Sequence, residues 1–201
     1  MGIAERKARQ KEGMRQEILD AARELFLKEG YESVSMRKIA ERIEYSPTTI
    51  YLYFKDKNEL VDSLCEETFA KLLATLERIG AQCADPVEQL HVCCRAYVDF
   101  GLQHPDHYRV TFLLSHDQAM PQAHGAETMG MKTFMYLRGG VEECIARGRF
   151  RKVDVDVTSQ AIWAALHGIT ALLIVKPGFP WAAKNQVIDT LISSVIRGLM
   201  V

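Results

Sequence analysis

The stretch "SPTTIYLYFKDKNEL", Ser46 to Leu60, sets two tyrosines, a phenylalanine and two lysines between Tyr51 and Lys57. Ser46 suits a helix N-cap, and Pro47 suits the first turn, where its missing N–H leaves nothing unpaired. On the helix that follows, Ile50 and Phe54 are four residues apart and face inward together. Thr48, Thr49, Tyr51 and Tyr53 are left facing outward. The crowded aromatics are thus of two kinds, core anchors and an open, hydroxyl-bearing face.

Upstream, Ile18, Ala21, Ala22, Leu25 and Phe26 form an apolar stripe at helical spacing, and Gly30 follows as a helix-closing residue. Ser35 caps a second short helix whose inner face is Ile39, Ala40 and Ile43. That helix stops at "ERIEY", Glu41 to Tyr45, without the glycine or proline that usually marks a break. Three short helices, the last two joined by a tight turn, have the geometry of a helix-turn-helix, whose last helix enters the major groove of DNA. Threonine methyls pack on thymine methyls, and hydroxyls reach phosphates or base edges. Lys57 is placed to neutralise a phosphate beside the N-terminus of the next helix.

That next helix starts at the capping-box sequence "DKNE", Asp56 to Glu59, and carries Leu60, Leu64, Leu72, Leu76 and Ile79. "DPVE", Asp85 to Glu88, repeats the device ahead of Leu90, Cys94, Tyr97 and Val98. A short helix is expected from His104 through Leu113, then a looser region from Ser115 to Gly130. Further helices are expected around Phe134–Ile145, Val157–Val175 and Ala182–Leu199. "VDVDV", Val153 to Val157, is the one short stretch with strand-like alternation. The expectation is an all-α chain of about nine helices. It divides into a basic tail (1–14), a three-helix helix-turn-helix domain (15–60) and a larger helical ligand-binding and dimerisation domain (61–201).

Bulk properties narrow the function classes. With 48% hydrophobic and 25% charged residues, the chain has the composition of a folded globular protein. Its formal net charge is −1, so attraction to nucleic acid must be local. It is local: Met1–Arg15 carries five basic residues against two acidic, and Val61 onward carries 13 against 15. That tail reads either as a solvated, disordered arm or as a phosphate or minor-groove contact. Five cysteines, an odd number without CxxC spacing, fit small core residues in a reducing cytoplasm. The apolar run Ala161–Val175 reads as too short to cross a bilayer, and Gly2 lacks an acylation context, so no membrane partner is expected. GxSxG, HExxH, CxxC and a phosphate-binding glycine loop are all missing, so no enzyme and no cofactor is expected. His104 and His107 lack a completing ligand set, so no metal is expected either. "RGRF", Arg147 to Phe150, reads as a basic helix end complementing the dipole.

The run "RQEILDAARELFLKEGYESVSMRKIAERIEYSPTTIYLYFKDKNEL", Arg15 to Leu60, resembles the DNA-binding domain of the TetR family of bacterial regulators. It carries I-x-x-A-A-x-x-L-F, G-Y, S-x-R-x-I-A and T-x-Y-x-Y-F-K-x-K-x-E-L without a gap. The resemblance implies contact positions at Ser35, Met36 and Arg37, then at Pro47, Thr48, Thr49, Tyr51, Tyr53 and Lys57. For Arg37 the alternatives to base reading are a phosphate contact or a surface ion pair. Glu44 stands where the family usually has glycine; at positive φ it would cost about 1 kcal/mol. "WAALHG", Trp163 to Gly168, resembles the Trp–His–Gly feature of one C-terminal subtype.

The resemblance further implies a homodimer on a palindromic operator in double-stranded DNA, and regulation, as a repressor, by a small-molecule effector of unknown identity. The last two long helices would form the four-helix interface through Leu166, Ile169, Thr170 and Leu173, with Ile188, Leu191, Ile192, Val195 and Leu199. The residues themselves suggest an effector lining of Tyr97, Phe100, His104, Tyr108, Phe112, Phe134, Trp163 and His167, against plain bundle core. The helix from Lys57 to Ile79 is the natural lever. The rival reading is a ligand-binding or protein-interaction module that has lost its DNA role, with Glu44 as the symptom.

Overall fold

The computed structural model describes residues 2–113 and 128–201, so most of the looser region expected at 115–130 lies outside the described residues. Nine α-helices are present among them: α1 (Ile3–Glu29), α2 (Met36–Arg42), α3 (Pro47–Tyr51), α4 (Lys57–Gly80), α5 (Pro86–Gln103), α6 (Pro105–Tyr108), α7 (Met129–Ala146), α8 (Val155–Val175) and α9 (Lys184–Arg197). A five-residue π-turn, Arg109–Leu113, follows α6. The described residues contain no strand, only an isolated bridge between Phe150 and Met200. Asp154 accepts the Val157 amide and starts α8 inside the "VDVDV" stretch, which therefore never extends as a strand.

The described residues fall into two units. Those up to Thr68, with Asp106 to Leu113, form the first; Phe69–Pro105 and Thr128–Val201 form the second. The division falls within α4 rather than before it, and the α6 region joins the first unit. α1 starts at Ile3, where Glu5 accepts the Gly2 amide at 2.8 Å, so the basic segment is helical rather than a separate tail.

The first unit is built on Ile18, Leu19, Ala22 and Phe26 of α1, Ile39 and Ala40 of α2, Ile50 and Phe54, and Leu60 and Leu64 of α4, all buried. Val110 of the π-turn belongs to the same core. Two ion pairs fasten α1 to α2: Arg42 reaches both oxygens of Glu24 at 2.8 Å, and Lys38 pairs with Glu29. Exposed pairs of this kind are worth at most ~1 kcal/mol, so the apolar core dominates.

In the second unit α5 packs on α7, α8 and α9, and α8 packs on α7 and α9. Arg95 ties α5 to α9, with Nη1 on Asp189 at 2.7 Å and Nη2 on Asn185 at 2.9 Å. Arg138 on α7 reaches Asp156 on α8 at 2.7 Å. The Tyr136 hydroxyl, which takes the Gln89 amide at 3.3 Å, sits where a side chain on Gly80 would begin, so any larger residue there would have to push the tyrosine aside. Cys93, Cys94 and Cys144 are buried core thiols, and burial pushes Cys94 up to about 12 and Cys65 up to about 11. Such thiols stay protonated and unreactive near neutral pH.

α8 is 21 residues long because it begins at Val155, and by length and composition alone it is apolar enough to cross a membrane. The core helix of a soluble protein passes the same test, and the apolar run Ala161–Val175 is only the later part of this one. The expected pairing face is corrected. Leu166, Ile169, Thr170, Leu173, Ile188 and Ile192 are buried within the chain, while Leu191, Val195 and Leu199 are partly open. What α8 leaves accessible is a second stripe: Val157, Ala161, Ala164, Gly168, Leu172 and Val175, spaced by three or four residues.

Candidate nucleic-acid interface

The start of α2 is set by Ser35, whose hydroxyl accepts the Lys38 amide at 3.2 Å. Its end is set by Glu44, at φ 61° the one non-glycine residue with positive φ among those described. The Tyr45 amide reaches back to the Ala40 carbonyl at 2.9 Å, and the Glu44 amide to the Glu41 carbonyl at 3.3 Å. These are the two hydrogen bonds of a Schellman turn, whose left-handed residue is normally glycine. The tight turn therefore forms with glutamate in the strained position.

Ser46 then caps α3: its hydroxyl accepts the Thr49 amide at 3.2 Å and lies 2.9 Å from the Thr49 hydroxyl. The regular helix ends at Tyr51. The Leu52 and Tyr53 amides bond three residues back, to Thr49 and Ile50, so the last turn tightens before Phe54. Ile50 (0% exposed) and Phe54 (1%) plug into the core. Directly above them, Tyr51 is 55% exposed, and Pro47 and Thr48 are open. The Arg15 guanidinium lies over the face of the Phe54 ring, 5.1 Å from its centre.

Most of the sequence-predicted set is open or partly open, and two of its members are turned inward. Arg37 has 80% of its side chain exposed and bonds Glu41 one turn on, at 3.0 Å. Ser35 and Pro47 are exposed, Thr49 is half-buried, and Tyr53 is half-buried against the core. Met36 is a correction: at 7% exposure its side chain is part of the core, because the first residue of α2 points back toward α1. Lys57 is turned inward. Its ammonium donates to the carbonyls of Tyr31 at 2.8 Å and Val34 at 3.1 Å, and lies 3.9 Å from the Tyr31 ring centre.

Two more side chains that sequence reasoning misses are exposed in or beside the turn and α3. Leu52 is 75% exposed and Tyr45 42%. Leu52 lies four residues after Thr48 and three after Thr49, so spacing alone places it there; an isolated leucine simply reads as core. Tyr45 falls in the turn, where periodicity gives no signal.

The expected effector lining is divided between the units. Tyr108 and Phe112 lie in the first unit with ring centres 4.7 Å apart, tilted by 41°. In the second, buried Tyr97 and Phe100 lie on α5, with exposed His104 4.8 Å from Phe100. Phe134, Trp163 and His167 form a chain of rings at 6.2 and 6.3 Å across α7 and α8. Burial alone holds the His167 ring below its ordinary 6.5, so it is neutral at physiological pH. No group of three or more metal-ligating side chains occurs among the described residues.

Comparison with known proteins agrees with this geometry. Residues 18–64 match the profile described as bacterial regulatory proteins of the tetR family. Residues 90–198 match the tetracyclin repressor-like C-terminal domain. The fatty acid metabolism regulator protein of Bacillus subtilis is 25% identical over 192 residues, spanning 93% of this chain and 98% of that one. An uncharacterized helix-turn-helix-type transcriptional regulator of Haemophilus influenzae is 37% identical over 68 residues; the chain covers only 36% of its length. The crystal structure of Bacillus subtilis FadR in complex with stearoyl-CoA superposes with a TM-score of 0.76 at 20% identity, covering 92% of this chain and 98% of that one. The two family matches together span most of the chain, and their N-terminal part coincides with the capped helices and plugged aromatics just described: the chain belongs to the TetR family of helix-turn-helix transcriptional regulators.

Proposed function

We propose that the chain acts as a homodimeric repressor that binds a palindromic operator and releases it when a small-molecule effector enters the C-terminal unit. One observation carries the DNA-binding half of this reading. On one short helix and the tightened turn that ends it, Ile50 and Phe54 are sealed beneath while Thr48, Tyr51 and Leu52 stand open. An ordinary solvated helix has no reason to expose a tyrosine and a leucine side by side; a groove-reading helix does, for methyl and hydroxyl contacts. The proposed contact set is Ser35, Arg37, Pro47, Thr48, Thr49, Tyr51 and Tyr53, extended to Leu52 and Tyr45.

Pairing follows from the size of the reading element. α3 is five residues long and reaches only a few base pairs, so specificity requires two copies about one helical turn apart, ~34–36 Å. The open stripe of α8, with the partly open Leu191 and Val195 of α9, supports a four-helix contact between copies. The lever assignment rests on α4, whose residues belong to both units. For the effector, the rings of Phe134, Trp163 and His167 support an apolar ligand with few polar groups. A long-chain acyl thioester is the first class to test, because the Bacillus subtilis relative is seen with stearoyl-CoA. The cytoplasm is the matching compartment for such a regulator.

Selection on random duplex DNA, followed by gel-shift titration in a salt series, tests the reading. The expected outcome is one enriched palindrome. Arg37→Ala should cost ~1–3 kcal/mol and broaden sequence choice at its position, with the salt slope nearly unchanged if it reads a base. No enriched sequence would favour the rival in which the DNA role is lost.

A further inference from the structure

The first turn of α4 reaches back across the first unit to the loop that leads into α2. Gly30 closes α1 at φ 81°, and residues 31–33 turn sharply before Val34 and the cap residue Ser35. The loop has no regular helix or strand to satisfy its carbonyls. Two of them, Tyr31 and Val34, are taken by the Lys57 ammonium at 2.8 and 3.1 Å. The same ammonium lies 3.9 Å from the Tyr31 ring centre, and the Tyr31 hydroxyl bonds Asn58, the next residue of α4. Burial and neighbouring carboxylates raise the Tyr31 phenol, so it remains a donor at any physiological pH. An ammonium has three N–H donors and no acceptor. Two of the three are committed to backbone that sits immediately before Ser35 and Arg37.

We infer that Lys57 is a positioning residue for DNA recognition: it fixes the loop that aims the start of α2, and it does not act by neutralising a phosphate. This rests on the reading of the α2–α3 face as the DNA contact surface. Its physical content is a short relay. Any displacement of the first turn of α4 moves the Lys57 ammonium, which carries the Tyr31 and Val34 carbonyls with it, and Ser35 and Arg37 follow within one to three residues. The exposed Lys55, two residues earlier, is the contrasting case, a lysine whose side chain faces solvent.

Lys57→Met keeps most of the aliphatic stem and removes the donors. With full-length protein and the selected operator, it is expected to weaken binding at least tenfold while log K against log [salt] stays parallel to wild type. Loss of one phosphate contact would instead flatten that slope by ~0.9, and such flattening, or unchanged binding, overturns the inference. A double-mutant cycle with Arg37→Ala separates positioning from general weakening. Losses that fail to add place Lys57 and Arg37 in one unit, whereas strictly additive losses overturn the relay.

A second measurement needs neither variant nor DNA. In reductive methylation of the free wild-type protein, mapped by mass spectrometry, Lys57 is expected to react several-fold more slowly than Lys55; equal rates overturn the assignment. Failure of the wild type to bind any operator would count against the DNA-binding reading itself, and leaves this measurement able to decide the geometry of Lys57.

Discussion

Tyr51 and Phe54 stand three residues apart at one end of the first unit, yet one is 55% exposed and the other 1%. Phe134, Trp163 and His167 are spread over two helices of the second unit and are all half-buried, each ring against the next. On the proposed function, the contrast reflects what each surface has to meet. A duplex is rigid and presents the same groove each time, so a short helix can divide its side chains cleanly into plugs and tips. A ligand enclosed by helices has to be met by the same side chains that fill the bundle. Stability and recognition are therefore separable in the first unit and entangled in the second.

The largest expected effect tests that separation directly. Phe54→Ala removes a fully buried ring that Arg15 covers, and should cost ~3–5 kcal/mol in urea unfolding, with DNA binding lost alongside. Tyr51→Phe removes only an exposed hydroxyl and should leave unfolding within about 0.5 kcal/mol of wild type while weakening operator binding. Trp163→Ala should show no such division, with stability and any ligand response falling together.

The second unit does contain one clean contrast, on α8, between a buried stripe and an open one. Leu172 is 50% exposed in the open stripe, with Val157 and Val175 on either side along the helix. Leu172→Glu should weaken self-association by about 2–4 kcal/mol, read as a monomer in sedimentation velocity at concentrations where wild type is a dimer. Its monomer fold should be unaffected. A wild-type chain that sediments as a monomer would remove the dimer from the proposal.

Glu44 gives a smaller effect, of opposite sign. Its φ of 61° is a conformation that glycine adopts freely and glutamate does not. Glu44→Gly should stabilise the first unit by about 1 kcal/mol, less what the added freedom of the unfolded chain offsets. Thermal unfolding checks it; a destabilised variant would mean that the Schellman turn draws on the glutamate side chain.

Much of this was legible in the sequence, for identifiable reasons. Ser35, Ser46 and Asp56 are strong caps in front of short apolar periods, and each one caps where it was expected to. Ile50 and Phe54 follow from spacing alone. Met36 does not, because the direction of a first-turn side chain depends on which neighbour the helix lies against. The Lys57 ammonium sits on four rotatable bonds, and no pattern of residue types chooses between a phosphate and two carbonyls. On α8 both faces are apolar, so periodicity cannot say which is internal, and the stripe assigned to pairing is the one the chain buries itself. The segment from Ile3 to Met14 is charged and reads as a tail, yet it continues α1 as helix.

His167 supplies the weakest effect and the one most specific to the second unit. Its ring is half-buried beside Trp163, and burial lowers its pKa from the ordinary 6.5. The unfolded chain therefore binds more protons than the folded one in the window between the lowered value and 6.5. Stability must rise with pH through that window. His167 then contributes fully to stability above about 6.5, and that contribution is lost progressively as pH falls from there through the folded value. The melting temperature of wild type should decline between pH 7.5 and 5.5 by more than that of His167→Gln, whose amide has no charge to bury. Parallel declines would mean that the ring accepts its proton in place, as a histidine facing solvent or a polar ligand site would, and the apolar character assigned to the Phe134–Trp163–His167 chain would have to be given up.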